Sequence, residues 1–308
     1  MTGALAARRC VMAVRKARAS PPLAYPLYVA DAFTQAKYTG NAAGVVVLAS
    51  GEDGDDGWMA DVAAEMKHSE TAFVWPVKDN EYGLRWFTPG RVEVDLCGHA
   101  TVAGTAAICH LRHRGDEAAA ITFHTKSGEL GVDAKRTSDD GTTWSVRMDF
   151  PAAPATALDD EARASAICAA VGVPRTLASF VGRTALNDDL LVVLDADDEY
   201  VRKLQPDMSA LMAEAGGPHR GVIVAAASSL PDVDFVSRFW GPRVGIEEDP
   251  VTGSAHCSLA PYWDAGATGK PLKALQLSER RGELTTTCKG DRVVIEGDAV
   301  VVLAGTLL

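Results

Sequence analysis

Phe87-Thr-Pro-Gly-Arg91-Val-Glu-Val-Asp-Leu-Cys97-Gly-His99-Ala-Thr-Val-Ala103 can be laid without a gap on Phe239-Trp-Gly-Pro-Arg243-Val-Gly-Ile-Glu-Glu-Asp249-Pro-Val-Thr-Gly-Ser254-Ala255. The Phe, the Arg-Val pair, one acidic position and the final Ala coincide. In each stretch a β-rich run passes through a tight polar turn into a helix of small residues. Few identities are shared, so the weight of the match is physical rather than statistical. Each copy makes a helix start beside a glycine, offering free N–H groups and the positive end of a helix dipole to an anion. Two such starts facing each other would grip a carboxylate from both sides.

Working outward, β-rich runs recur at 26–33, 44–48, 71–75, 84–88, 121–124, 129–134 and 143–149. Others follow at 190–194, 221–225, 234–239, 283–287, 292–295 and 299–302. Helical patterns are fewer: 56–66, 100–113, 159–171, 208–215 and 254–264. Many strands, few helices and no regular βαβ alternation predict an α+β fold rather than a doubly wound sheet. The change of halves is expected near 115–120, after the 100–113 helix, which gives an N-terminal half of 25–118 and a C-terminal half of 119–308. Pro151-Ala-Ala-Pro154 reads as a connector inside the second half.

Composition excludes several classes. The chain has 308 residues, 47% hydrophobic and 23% charged, with a net charge of −11. Such a balance argues against binding nucleic acid or an anionic membrane through a basic surface. No window approaches the roughly 18 uncharged apolar residues of a spanning helix. The six cysteines are scattered, with no C-x-x-C pair and no zinc spacing, so reduced thiols and a cytoplasmic location are expected. Residues 1–24 form a basic, Ala-rich extension with no acid before Asp31. They read as an organelle transit peptide, a disordered tail, or an upstream start with Met12 as the true one.

Three segments carry residues fit for chemistry. Ser69-Glu70-Thr71-Ala72-Phe73-Val74 sets a carboxylate at the mouth of an apolar run. Burial there raises a Glu pKa toward neutrality and suits it to general acid/base work, whereas a Glu in water or an ion pair would be ordinary. In Asp95-Leu-Cys97-Gly98-His99-Ala100-Thr101, His99 can relay a proton, and Gly98 allows close backbone approach. Cys97 reads as a thiol acid/base or as a small buried residue. Glu247-Glu248-Asp249-Pro250-Val251-Thr252-Gly253-Ser254 stacks three acids before a Gly-Ser helix start. Asp249 reads equally as a turn residue and Ser254 as an N-cap. P-loop, dinucleotide, zincin and nucleophile-elbow motifs are missing. His110 and His113 lack a third ligand at fitting spacing, so no metal is expected.

At these segments the chain resembles the PhzF-like family of phenazine-biosynthesis isomerases, a branch of the diaminopimelate epimerase-like fold. The matching stretches are Val29-Ala-Asp-Ala-Phe33 with Gly40-Asn41, Ser69-Glu70-Thr71-Ala72-Phe73, Phe87-Thr-Pro with Asp95-Leu-Cys97-Gly98-His99-Ala100-Thr101, and Glu248-Asp249-Pro250-Val251-Thr252-Gly253-Ser254-Ala255. They stand in the family's order and cover about residues 26–308. The resemblance implies two similar halves, each a curved, mostly antiparallel sheet wrapped around a central helix, with the active site in the cleft between them. The first half would be completed by a strand from the C-terminus. It further implies a homodimer, a small anionic metabolite as substrate, and catalysis without metal or organic cofactor. Carried over, Glu70 matches the proton-shuttling Glu, and His99, Asp249 and Ser254 match other polar site residues. Gly98 and Gly253 stand where backbone N–H groups hold substrate, and Asn41 at a substrate contact. The chain departs from the pattern just after Asn41, with Ala42-Ala43 where the family usually has Pro.

The expected activity is isomerisation by proton transfer on a small carboxylate-bearing metabolite. One rival is a two-base amino-acid epimerase or racemase using Cys97, although its echo position holds Asp249 and the nearest thiol is Cys257. The other is a non-catalytic binding protein that keeps the fold.

Overall fold

The helix Gly98–Arg112 is made mostly of Gly, Ala, Thr, Val and Ile. A rod with apolar residues all round is stable only when covered on every side. In the computed structural model, which describes residues 24–214 and 219–308, every residue from His99 to Cys109 is buried. The expectations for residues 1–23 lie outside the described residues.

Eight strands form the cover: Tyr25–Ala32, Asn41–Val47, Thr71–Lys78, Glu81–Phe87, Ala118–Thr125, Gly128–Arg136, Thr143–Pro151 and Arg292–Leu307. They close into a ring because the last strand pairs antiparallel with both Thr143–Pro151 and Tyr25–Ala32. That strand also pairs with Gly282–Lys289, and the sheet continues through Leu272–Gln276, Phe235–Trp240, Val222–Ala227, Leu190–Leu194, Ala178–Thr184 and Ala155–Ala157. A second buried helix, Gly253–Trp263, packs against Gly282–Lys289 and Arg292–Leu307.

The strand Arg292–Leu307 joins what the sequence predicts as two. Glu296, Gly297 and Asp298 pair with Arg147, Val146 and Ser145 and carry it through. Glycine is required there, since a Cβ on residue 297 would stand 2.5 Å from Phe33 Cδ1.

The boundary expected at 118/119 is corrected by the sheet. Ala118–Thr125 pairs parallel with Glu81–Phe87, and Gly128–Arg136 and Thr143–Pro151 pack on Gly98–Arg112. The helix needs these strands for its remaining sides, so the chain leaves the ring only after Pro151. Pro151-Ala-Ala-Pro154 is thus the passage between the two strand sets. Four strands and an α-helix escape the sequence reading: Glu93–Val94, Ala155–Ala157, Ala178–Thr184, Leu272–Gln276 and Asp198–Lys203. Leu-Lys-Ala-Leu-Gln favours helix by composition, but pairing with Phe235–Trp240 and Gly282–Lys289 makes it a strand. No helix among the described residues is long and apolar enough to cross a membrane.

Candidate active site

The two central helices meet end to end. Gly98 and Gly253 are their first residues, and a Cβ on Gly98 would lie 3.7 Å from Gly253 Cα. The N-cap residues are Cys97 and Thr252, and neither side chain caps its helix. The opposed helix starts expected from sequence are therefore present, but their register is corrected. The gapless echo sets Gly98 against Pro250, whereas the structure sets it against Gly253, three residues on. The second lead-in, from Phe239 to Gly253, is three residues longer than that from Phe87 to Gly98. The structural counterpart of Cys97 is Thr252 rather than Asp249. Ser254 is the second residue of its helix and not its N-cap.

Glu70 precedes the strand Thr71–Lys78 and is 8% exposed. His99 Nε2 lies 3.2 Å from Glu70 Oε2, out of line for a hydrogen bond and otherwise unpartnered. His99 Nδ1 is 3.5 Å from Cys97 Sγ. Burial, reinforced by the charge of Asp249, raises the Glu70 carboxyl to about 7, against smaller opposing effects of Cys97 and Arg220. Burial first, then nearby His68, pushes His99 down to about 3, so its ring is neutral. Burial and the charge of Glu70 hold the Cys97 proton on well above the usual thiol range.

Asp249 is also buried. Its oxygens accept from Thr252 Oγ1 at 2.6 Å and Asn41 Nδ2 at 2.8 Å. Burial still outweighs these bonds and raises its pKa to about 6. Gln276 braces the turn, donating to Asp249 O at 2.7 Å and accepting from Thr252 N at 2.9 Å. Asn41 corrects an expectation. It is 1% exposed and spends its amide on Asp249 and on Val251 O, so it orients Asp249 from behind the cavity wall. Of the three adjacent acids only Asp249 turns inward; Glu248 pairs with Arg238, and Glu247 is exposed.

Between the strand sets lies a cavity of about 340 Å³ walled by Glu70, Cys97, Gly98, His99, Asp249, Gly253 and Ser254 among others. Arg220 also lines it, a residue that the sequence reading missed, and donates to Ser254 Oγ at 2.9 Å. Cys257 reaches the same cavity, its thiol pushed by burial up to about 12. Glu70, Cys97 and His99 bring ligand atoms within 4.8 Å of one another, a spacing that can hold a metal ion. An ion there would have to displace the thiol proton that burial and Glu70 retain.

The sequence model described as phenazine biosynthesis-like protein (PhzC-PhzF) matches residues 30–305. An uncharacterized isomerase of Halalkalibacterium halodurans is 40% identical, over 92% of this chain and 98% of its own. A solved PhzF family protein of Enterococcus faecalis superposes with a TM-score of 0.78 at 36% identity, covering 93% of this chain and all of that one. A hydroxyproline epimerase of Agrobacterium vitis shares the fold, with a TM-score of 0.56 over 92% of each chain at 10% identity.

Proposed function

Since this chain belongs to the phenazine biosynthesis-like family, whose relatives include named isomerases, we propose that it moves a proton between two positions of one small carboxylate-bearing metabolite, with Glu70 as the general acid/base. The observation that carries this reading is a buried carboxyl with a pKa of about 7 facing two uncapped helix starts. At neutral pH such a group is divided between acid and base and can both take and return a proton.

In this reading the substrate anion sits against the N–H groups at Gly98 and Gly253. Glu70 removes a proton from carbon beside the activating group and delivers it elsewhere on the same molecule. The charge that develops is met by the helix starts, a kind of stabilisation worth about 2.7–4 kcal/mol per donor. Neutral His99, with Nε2 unpartnered, is available to a substrate oxygen. Asp249, held by Asn41 and Thr252, keeps Glu70 protonatable through its charge.

The test is proton exchange into candidate carboxylates in D2O, followed by NMR. Glu70→Gln is expected to slow exchange by about 10²–10⁴-fold with the fold intact. Exchange retained in that variant would remove the proposed base. A two-thiol epimerase is the second reading, because Cys97 and Cys257 line one cavity. Their raised pKa values oppose it, and activity that survives Cys97→Ala would exclude it. The proposal includes a homodimer acting without metal or organic cofactor, checked by light scattering and by activity after chelation and desalting.

A further inference from the structure

A small acid needs more than two helix ends in a cavity that already holds two carboxyl groups, Glu70 and Asp249. Among the described residues lining it, Arg220 carries the one permanent positive charge. Its Nε donates to Asp189 Oδ1 at 3.1 Å, and its Nη2 to Asp189 Oδ2 at 2.6 Å as well as to Ser254. The guanidinium lies over the Phe239 ring, 5.0 Å from its centroid. Two nitrogens are thus spent and the plane is fixed, while Nη1 makes no hydrogen bond within the described residues. The side chain is 32% exposed and lines the cavity, although its partner Asp189 is 1% exposed. Asp189 closes the loop 185–189, whose Leu186 and Asn187 also wall the cavity. At the mouth, Leu96, Leu186 and Val244 stand 45%, 55% and 53% exposed on three separate loops. Apolar side chains of that size left in water at a cavity mouth suit an uncharged substrate body.

We propose that Arg220 is the anion anchor of this cavity, that Asp189 is its positioning residue, and that the site takes monocarboxylates whose uncharged body rests on Leu96, Leu186 and Val244. The inference rests on the isomerase reading and narrows its substrate class. A fixed guanidinium edge beside Ser254, the second residue of the helix, lets one carboxylate bond to the arginine and the helix N-terminus together. A second carboxylate would meet Glu70 or Asp249 and be repelled.

The experiment measures binding of sodium hexanoate, hexanamide and acetate to the full chain by calorimetry or NMR titration. Removing Arg220 alone would leave Asp189 buried without its countercharge, so the decisive variant is the double Arg220→Gln, Asp189→Asn, which takes away both charges together. Hexanoate is expected to bind wild type at least tenfold more tightly than either hexanamide or acetate, and to lose at least tenfold in the double variant while hexanamide is unaffected. Asp189→Asn alone is expected to lower the preference for hexanoate over hexanamide without weakening hexanamide, which general damage to the cavity would not do. A double variant that holds hexanoate within about twofold of wild type, or a wild type that does not prefer hexanoate to hexanamide, overturns the assignment. Glu70→Gln should still bind hexanoate. If that variant also exchanges protons normally, the isomerase reading fails while the anchor stands.

Discussion

Helices Asp56–Met66, Glu161–Val171 and Asp198–Lys203 each begin on an aspartate that accepts from a backbone N–H three residues on: Asp55 from Trp58, Asp160 from Arg163, Asp197 from Tyr200. Gly98–Arg112 and Gly253–Trp263 begin on Cys97 and Thr252, which cap nothing. A side-chain cap is typically worth about 0.5–2 kcal/mol. The outer helices take that stabilisation, and the two buried ones meet without a side-chain cap at either start. The carboxyl groups differ in the same direction. Glu199, in the first turn of an outer helix and in water, is held down to about 2 by Arg202 and Lys203. Glu70, beside the inner starts, is raised to about 7 by burial. The outer ends are finished by their own residues; the inner ends are arranged for a ligand.

The largest effect that would break this contrast concerns Glu70 and stability. Its folded pKa of about 7 lies above the ordinary 4.5, so the folded chain binds the proton more tightly than the unfolded one. That stabilisation is full below pH ~4.5 and is lost as pH rises through 7. Its size is on the order of 3 kcal/mol, at about 1.4 kcal/mol per tenfold change in proton affinity. Urea unfolding should find Glu70→Gln more stable than wild type by that order at pH 8 and equal to it near pH 4.5. Parallel pH profiles for the two proteins would refute it.

Next in size is Gly98→Ala. The added methyl would sit at an ordinary contact distance of 3.7 Å from Gly253 Cα, so the fold accepts it. Alanine in place of a helical glycine is favourable by about 0.5–1 kcal/mol. The same methyl stands between the helix starts, where the substrate anion is held. Proton exchange should fall on the order of tenfold while the thermal midpoint stays or rises. Activity unchanged in that variant would mean the starts do not hold the anion. The smallest effect sharpens the comparison from the other side. Asp160→Ala should cost about 1 kcal/mol of stability and leave exchange untouched, as calorimetry and the NMR assay together would show.

What could be read from sequence follows from where each signal lies. Glu70, His99 and Asp249 stand in short segments whose local chemistry is visible, and the structure brings all three to one cavity. The echo of the helix starts was legible, but its register was not, because Gly253 stands three residues further from Phe239 than Gly98 does from Phe87. Arg220 was hidden because its partner Asp189 lies 31 residues earlier. Parallel pairing of Leu190–Leu194 with Val222–Ala227 brings both residues to one end of the sheet, just before their strands. An acid and a base ahead of successive β-rich runs were the available signal. Asn41 was legible as a polar site residue but not as the support of Asp249, since that bond spans 208 positions. The boundary at 118 failed for a reason of packing: a helix buried all round needs strands from both sides of itself in the sequence.

Infrared titration of the Glu70 carboxyl is the most direct test. The protonated carbonyl band that Glu70→Gln removes should disappear with a midpoint near pH 7. A midpoint at the ordinary 4.5 would show a hydrated carboxylate and contradict the account.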